Sequence, residues 1–172
     1  MESEELLELK ERTTERSGDR RIGLTMAVFA AGLAMVTLMG HRLHTEEVVL
    51  QTRVVDGWAY YQAKNIRSQM YAADAKLAEL QGAAGIAIAH GWVEKAAQEK
   101  EQADEIRKAT EELDVETRNT ARRANRFDGA EVFLEISIVL CSIALLTGSN
   151  RFWQVSFFGA LVGLLMAGFG IR

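Results

Sequence analysis

The chain has 172 residues, a formal net charge of −4, no proline and a single cysteine, Cys141. Near-balanced charge with no dominant basic stripe speaks against a nucleic-acid partner, and a lone cysteine excludes an internal disulfide. Hydrophobic residues make up 48% of the chain and charged residues 26%, but the two populations are segregated along it, and that layout carries the reading.

Residues 1–21 form a charged tail in which Leu6, Leu7 and Leu9 line one apolar helical turn. A short isolated helix of this kind is marginal in water. Residues 22–40 (IGLTMAVFAAGLAMVTLMG) are the first apolar run. A helix of about 20 apolar residues crosses the ~30 Å hydrocarbon core of a bilayer. Arg20 and Arg21 precede the run, so a secretory signal must be weighed. The run is longer than a signal h-region and no clean cleavage site follows it, so it reads as a membrane anchor.

Residues 41–129 form a long charged insert. Within residues 45–80, Val48, Thr52, Val55, Ala59, Gln62, Ile66, Met70, Ala73, Leu77 and Leu80 recur at helical spacings of three and four. Residues 81–91 (QGAAGIAIAHG) are rich in Gly and Ala, and Gly82, Gly85 and Gly91 mark a turn region. From Trp92 to Phe127 the residues Trp92, Ala96, Glu99, Ala103, Ile106, Thr110, Leu113, Thr117, Thr120, Ala124 and Phe127 alternate steps of four and three. That is a heptad seam of mostly small residues with one charged lapse, Glu99. Two helices of nearly equal length flank a Gly-rich midpoint, which predicts an antiparallel hairpin standing off the bilayer with a tip at about residues 81–91.

Residues 130–148 and 152–171 are the second and third apolar runs, joined only by Ser149, Asn150 and Arg151. They predict an antiparallel transmembrane hairpin. The fold class expected is therefore an all-α membrane protein with three transmembrane helices and a long extramembrane helical hairpin. Lys10, Arg12, Arg16, Arg20 and Arg21 favour a cytoplasmic N-terminus and a periplasmic hairpin, against Arg118, Arg122, Arg123 and Arg126 on the other side.

Two stretches are distinctive: Trp58-Ala59-Tyr60-Tyr61-Gln62-Ala63-Lys64-Asn65-Ile66-Arg67, and Arg126-Phe127-Asp128 leading into Glu131-Val132-Phe133-Leu134-Glu135-Ile136. With Gly40-His41 closing the first run, this order resembles an uncharacterised bacterial domain-of-unknown-function family of small membrane proteins. The resemblance covers nearly the whole chain. It implies one N-terminal span, a helical insert, a C-terminal pair of spans and a bacterial inner-membrane location. It supplies no activity and no catalytic residue.

Glu131 and Glu135 stand one turn apart on the second run and share a face. Ionisable groups inside an apolar run are costly and are commonly partnered or functional. They either reach the interface and pair with Arg42, Arg123 or Arg126, or pair between subunits, or line an ion path. His41 and His44 have a spacing that allows two imidazoles on one face, but no third ligand is evident, and no metal or cofactor is expected. Trp58, Tyr60 and Tyr61 form an aromatic cluster, and consecutive residues on a helix cannot all face one neighbour. Ile86, Ile88 and Trp92 place apolar surface at the tip, to be folded back on the hairpin or covered by a partner. Small residues stripe the first run (Gly23, Ala27, Ala30, Ala34, Thr37) and the third (Ser156, Ala160, Gly163, Ala167, Gly170), where Gly159 and Gly163 form GxxxG. No P-loop, GxSxG, HExxH or CxxC occurs, so no enzymatic activity is expected. The expectation is a membrane-anchored helical scaffold or accessory subunit, homo-oligomeric or part of a membrane complex. The alternative is an oligomeric ion-conducting or transport protein using Glu131 and Glu135.

Overall fold

The computed structural model describes the backbone of residues 2–171 and the side chains of residues 18–171. Among the described residues there are three helices and no strand: α1 (Glu2–Glu79), α2 (Ala83–Thr147) and α3 (Asn150–Ile171). Helices of 78 and 65 residues are possible because no proline removes a donor or clashes with a preceding carbonyl. The two breaks fall at the two glycines with positive φ, Gly82 at 79° and Gly148 at 65°. A left-handed residue past the last helical turn is where glycine avoids the Cβ penalty.

Both connections are shorter than the sequence pattern suggests. Only Leu80, Gln81 and Gly82 leave the helical path, so the expected tip at residues 81–91 is corrected to a three-residue turn. The Gly85 and Ile86 N–H groups donate to the Gly82 carbonyl at 2.9 and 3.2 Å, which starts α2 at once. The alanines between Ala83 and Ala89 favour helix strongly enough to absorb Gly85 and Gly91. Likewise Gly148 and Ser149 alone separate α2 from α3, with Asn150 and Arg151 already helical.

The chain divides into two compact units, Met1–His44 with Ala121–Arg172, and Thr45–Thr120. In the first, parts of α1, α2 and α3 pack around Phe29, Val36, Leu43, Phe127, Leu134 and Cys141. The contacts Gly40–Phe127, Thr37–Glu131 and Met26–Ser142 set α1 antiparallel to α2. Cys141–Ser156, Gly159–Ser137 and Gly170–Phe127 set α2 antiparallel to α3. All five small residues named for the third run, Ser156 to Gly170, are buried, because α3 lays that stripe against α2. A Cβ on Gly163 would lie 2.9 Å from the Ala130 carbonyl oxygen, a distance only glycine permits. By contrast Ala27, Ala30, Ala34 and Thr37 of the first run are exposed. There α1 presents Ile22, Phe29, Val36 and Leu43 instead, since large side chains bury more apolar area per contact. The helices carrying these runs are long and apolar enough to cross a membrane, three in all among the described residues.

In the second unit the rest of α1 and the start of α2 pack antiparallel. Gly57 faces Thr110, Lys64 reaches Gln102, Ser68 donates to the Ala96 carbonyl at 2.8 Å, and Tyr71 stacks on Trp92 at 5.3 Å. Every heptad-seam residue from Trp92 to Thr120 is buried or half-buried, as the spacing predicts. The seam threonines can be buried because Thr110 and Thr117 donate their hydroxyls to the Ile106 and Leu113 carbonyls one turn back.

The three helical glycines of this unit, Gly57, Gly85 and Gly91, separate by environment. A Cβ on Gly57 would overlap the Thr110 hydroxyl, and one on Gly85 the Ala78 carbonyl, while Gly91 has nothing within 4 Å. Gly91→Ala should therefore stabilise the helix pair by about 0.5–1 kcal/mol, whereas Gly57→Ala and Gly85→Ala should each cost about 1–3 kcal/mol through overpacking. Unfolding of the three full-length variants followed by circular dichroism checks the opposite signs.

Candidate interaction surfaces

The first helix of the second unit has two opposite faces. The packed one carries Leu50, Val54, Gly57, Tyr61, Lys64, Ser68, Tyr71, Ala75 and Ala78, all buried or half-buried. The periodic apolar one, Val48, Thr52, Val55, Ala59, Gln62, Ile66, Met70, Ala73, Leu77 and Leu80, is exposed at every position. At 100° per residue the two lie about 180° apart. Val55, Ile66, Met70 and Leu77 show 56–62% of their surface and Leu80 84%. The more apolar face is thus the uncovered one.

The packed face is held by small residues and one charged pair. Lys64 Nζ lies 3.0 Å from Glu99 Oε2 and donates to Gln102 Oε1 at 2.6 Å. The two side chains are only 10% and 19% exposed. Glu99 Oε2 is buried without an aligned hydrogen bond, so charge rather than hydrogen-bond geometry holds it to Lys64. Glu99, the lapse in the heptad seam, therefore has its counter-ion directly across the pair. The sequence reading missed Lys64; a buried-face lysine opposite a seam glutamate would have been the signal.

The aromatic cluster divides as helix geometry requires. Trp58 and Tyr61 meet edge to face at 5.7 Å, while Tyr60 is 54% exposed, with Lys64 Nζ 5.9 Å from its ring centre. At the turn, Trp92 packs on Ala75, Ala78 and Ala89, with Lys95 Nζ 4.7 Å over its ring. Ile86 and Ile88 are exposed at 51% and 55%. Of the two expectations for them, folding back on their own hairpin is corrected: α2 begins at Ala83, before them, and leaves them outward. Gly159 and Gly163, the GxxxG pair of the third run and candidates for helix–helix contact, are taken up within the chain against Ser137, Ala130, Phe133 and Leu134.

The two carboxylates of the second apolar run part company. Glu131 Oε1 accepts a hydrogen bond from Thr37 at 2.9 Å, and Glu135 is exposed. Arg123 and Arg126, expected as partners for these carboxylates, point instead to the end of α3. Arg123 donates to the Gly170 carbonyl at 3.0 Å and Arg126 to that of Phe169 at 2.7 Å. Guanidinium groups there satisfy carbonyls left without helical partners and complement the negative end of the helix dipole. His44 Nε2 lies 3.0 Å from both Asp128 oxygens. Among the described residues no group of three His, Cys, Asp or Glu side chains converges as a metal site would need.

These features define an all-helical chain with apolar runs of membrane-spanning length and an exposed apolar helix face. The chain belongs to the family described as domain of unknown function (DUF4337), whose model matches residues 18–172. No curated protein and no solved structure matches it.

Removing one member of the Lys64–Glu99 pair leaves a buried charge unpaired. Lys64→Met alone should destabilise by about 3 kcal/mol, while Lys64→Met with Glu99→Leu should return to within ~1 kcal/mol of the parent or exceed it. Denaturant unfolding of the three proteins checks this, and equal losses in the single and double variants would show that the pair is not coupled.

Proposed function

We propose that this protein is a membrane-anchored helical scaffold or accessory subunit of a membrane protein assembly, acting through helix–helix contacts. In this reading the three apolar runs, residues 22–40, 130–148 and 152–171, are transmembrane helices of a bacterial inner-membrane protein. Residues 41–129 form the extramembrane hairpin, on the periplasmic side with the N-terminus cytoplasmic. The observation that carries the proposal is the exposed stripe from Val48 to Leu80. A regular apolar face is what a second helix recognises, and exposed faces of this kind mark interaction sites.

A second reading, an oligomeric ion-conducting protein, rests on the exposure of Glu135 one turn from Glu131 on a run otherwise apolar. Three spans without an internal repeat would need several copies to enclose a pore.

Ion flux into vesicles separates the two. On the scaffold reading, vesicles holding the full-length protein leak cations no faster than empty ones, and Glu135→Gln changes nothing. Flux at least tenfold above empty vesicles, abolished by Glu135→Gln, would replace the scaffold by the channel. The topology has its own test. A cysteine at Ala84 should react with an impermeant maleimide in cells whose outer membrane alone is permeabilised. Protection until the inner membrane is broken would reverse the orientation.

A further inference from the structure

The exposed stripe on α1 deepens the scaffold reading, on which this inference rests, by specifying what covers it. Its nine helical positions, Val48 to Leu77, stay within about 80° of arc at 100° per residue, and Leu80 follows just past the helix end. They are spaced 4, 3, 4, 3, 4, then one extra 4, then 3, 4, 3. Two heptad blocks are thus joined by a single stutter between Gln62 and Met70. A compact ligand has no need of this periodicity, whereas a second helix running alongside for about 50 Å does.

We propose that the stripe binds the same stripe of a second copy of this chain, as a parallel, in-register pair of α1 segments over residues 48–80. Area supports a self-pair. Six large apolar side chains lie on the stripe, Val48, Val55, Ile66, Met70, Leu77 and Leu80, each 56–84% exposed. At roughly 60–120 Å² per aliphatic side chain they offer on the order of 400 Å² per copy. Ala59, Ala73, Thr52, Gln62 and the adjoining Val49 widen the contact. The two-copy total then approaches the ~1,000 Å² that a specific interface needs.

Charge sets the direction. In a parallel pair the edge positions within α1 meet as Gln51 with Asp56, Trp58 with Ala63 and Gln69 with Asp74. No like charges meet, and both aspartates face an amide that can donate to them. In an antiparallel pair centred on Gln62 and Ile66, Asp56 of one copy would face Asp74 of the other, which is repulsive. The rest of the exposed surface in this unit lacks such a stripe: the outer face of α2 carries Lys100, Glu101, Glu105, Lys108 and Glu112.

The test uses full-length protein in lipid vesicles with single cysteines at Val55, at Leu77 or, as control, at Lys108 on the outer face of α2. Cys141 is buried and is left in place. Copper-phenanthroline oxidation should give a disulfide-linked dimer from Val55→Cys and from Leu77→Cys, each at least tenfold above Lys108→Cys. Yields equal to the control at both sites overturn the proposal. Cross-linking that appears only when Val55→Cys is mixed with Ala73→Cys overturns the parallel register. Independently, Ile66→Glu with Met70→Glu should lower the dimer fraction at least tenfold by light scattering with helical content unchanged, because both side chains are already exposed in the single chain. A dimer that survives this double substitution would overturn this face as the contact and leave the scaffold reading standing on another surface. A parent protein that is monomeric at all concentrations and recovered without any partner subunit would overturn both.

Discussion

Close approach of helix backbones at small side chains is the constraint on which both units of this chain depend. In one, Ser156, Ala160, Gly163, Ala167 and Gly170 bring α3 onto α2. In the other, Gly57 meets Thr110 and the Ala75, Ala78, Ala89 cluster closes the end beside the turn. Small seams bury little apolar area for each residue, yet they allow dense van der Waals contact and bring backbone within reach of side-chain donors. Ser68 bonding to the Ala96 carbonyl is possible only at that range.

Polar groups occur where the small seams leave room, and they specify register. Lys64 lies between Glu99 and Gln102 on one helix pair, and Thr37 donates to Glu131 on another. A slip of one turn would strand the buried Lys64 or Glu99 charge against apolar neighbours. Such pairs contribute less to stability than to the choice of one alignment over its competitors, a role well attested for buried polar residues in helix pairs. Arg123 and Arg126 act at an end rather than along a seam. By binding the last carbonyls of α3 they fix where that helix stops against α2.

The arrangement on α1 follows from the same constraint. A helix offering two stripes can give only one of them to a single neighbour. The stripe bearing Gly57, Ser68, Ala75 and Ala78 matches the small seam of α2 in shape, and Lys64 matches it in charge. The Val, Ile, Met and Leu stripe could not approach α2 as closely, and it faces outward. A surface that is periodic, apolar and left over after the internal contacts are made is the feature that a scaffold reading needs.

Much of this was legible in the sequence. The three apolar runs, the absence of proline, the seam from Trp92 to Thr120 and the family resemblance followed from composition, spacing and motif. The small stripes of the first and third runs were equally legible, but only the third is packed within the chain. What failed did so for physical reasons. The Ala/Gly segment after Gln81 looked like a loop because glycine marks turns, but only Gly82 takes a positive φ; Gly85 and Gly91 sit inside a helix. The GxxxG spacing did not say whether Gly159 and Gly163 meet a helix of the same chain or of another; α2 takes them up. Periodicity on α1 identified an apolar face without saying which neighbour it meets. Spacing determines that a stripe exists, because the helix repeat is a local property of the backbone. Which stripe is buried was decided only in the tertiary structure, where the fit of Gly57 to Thr110 and of Lys64 to Glu99 is settled between residues far apart in the chain.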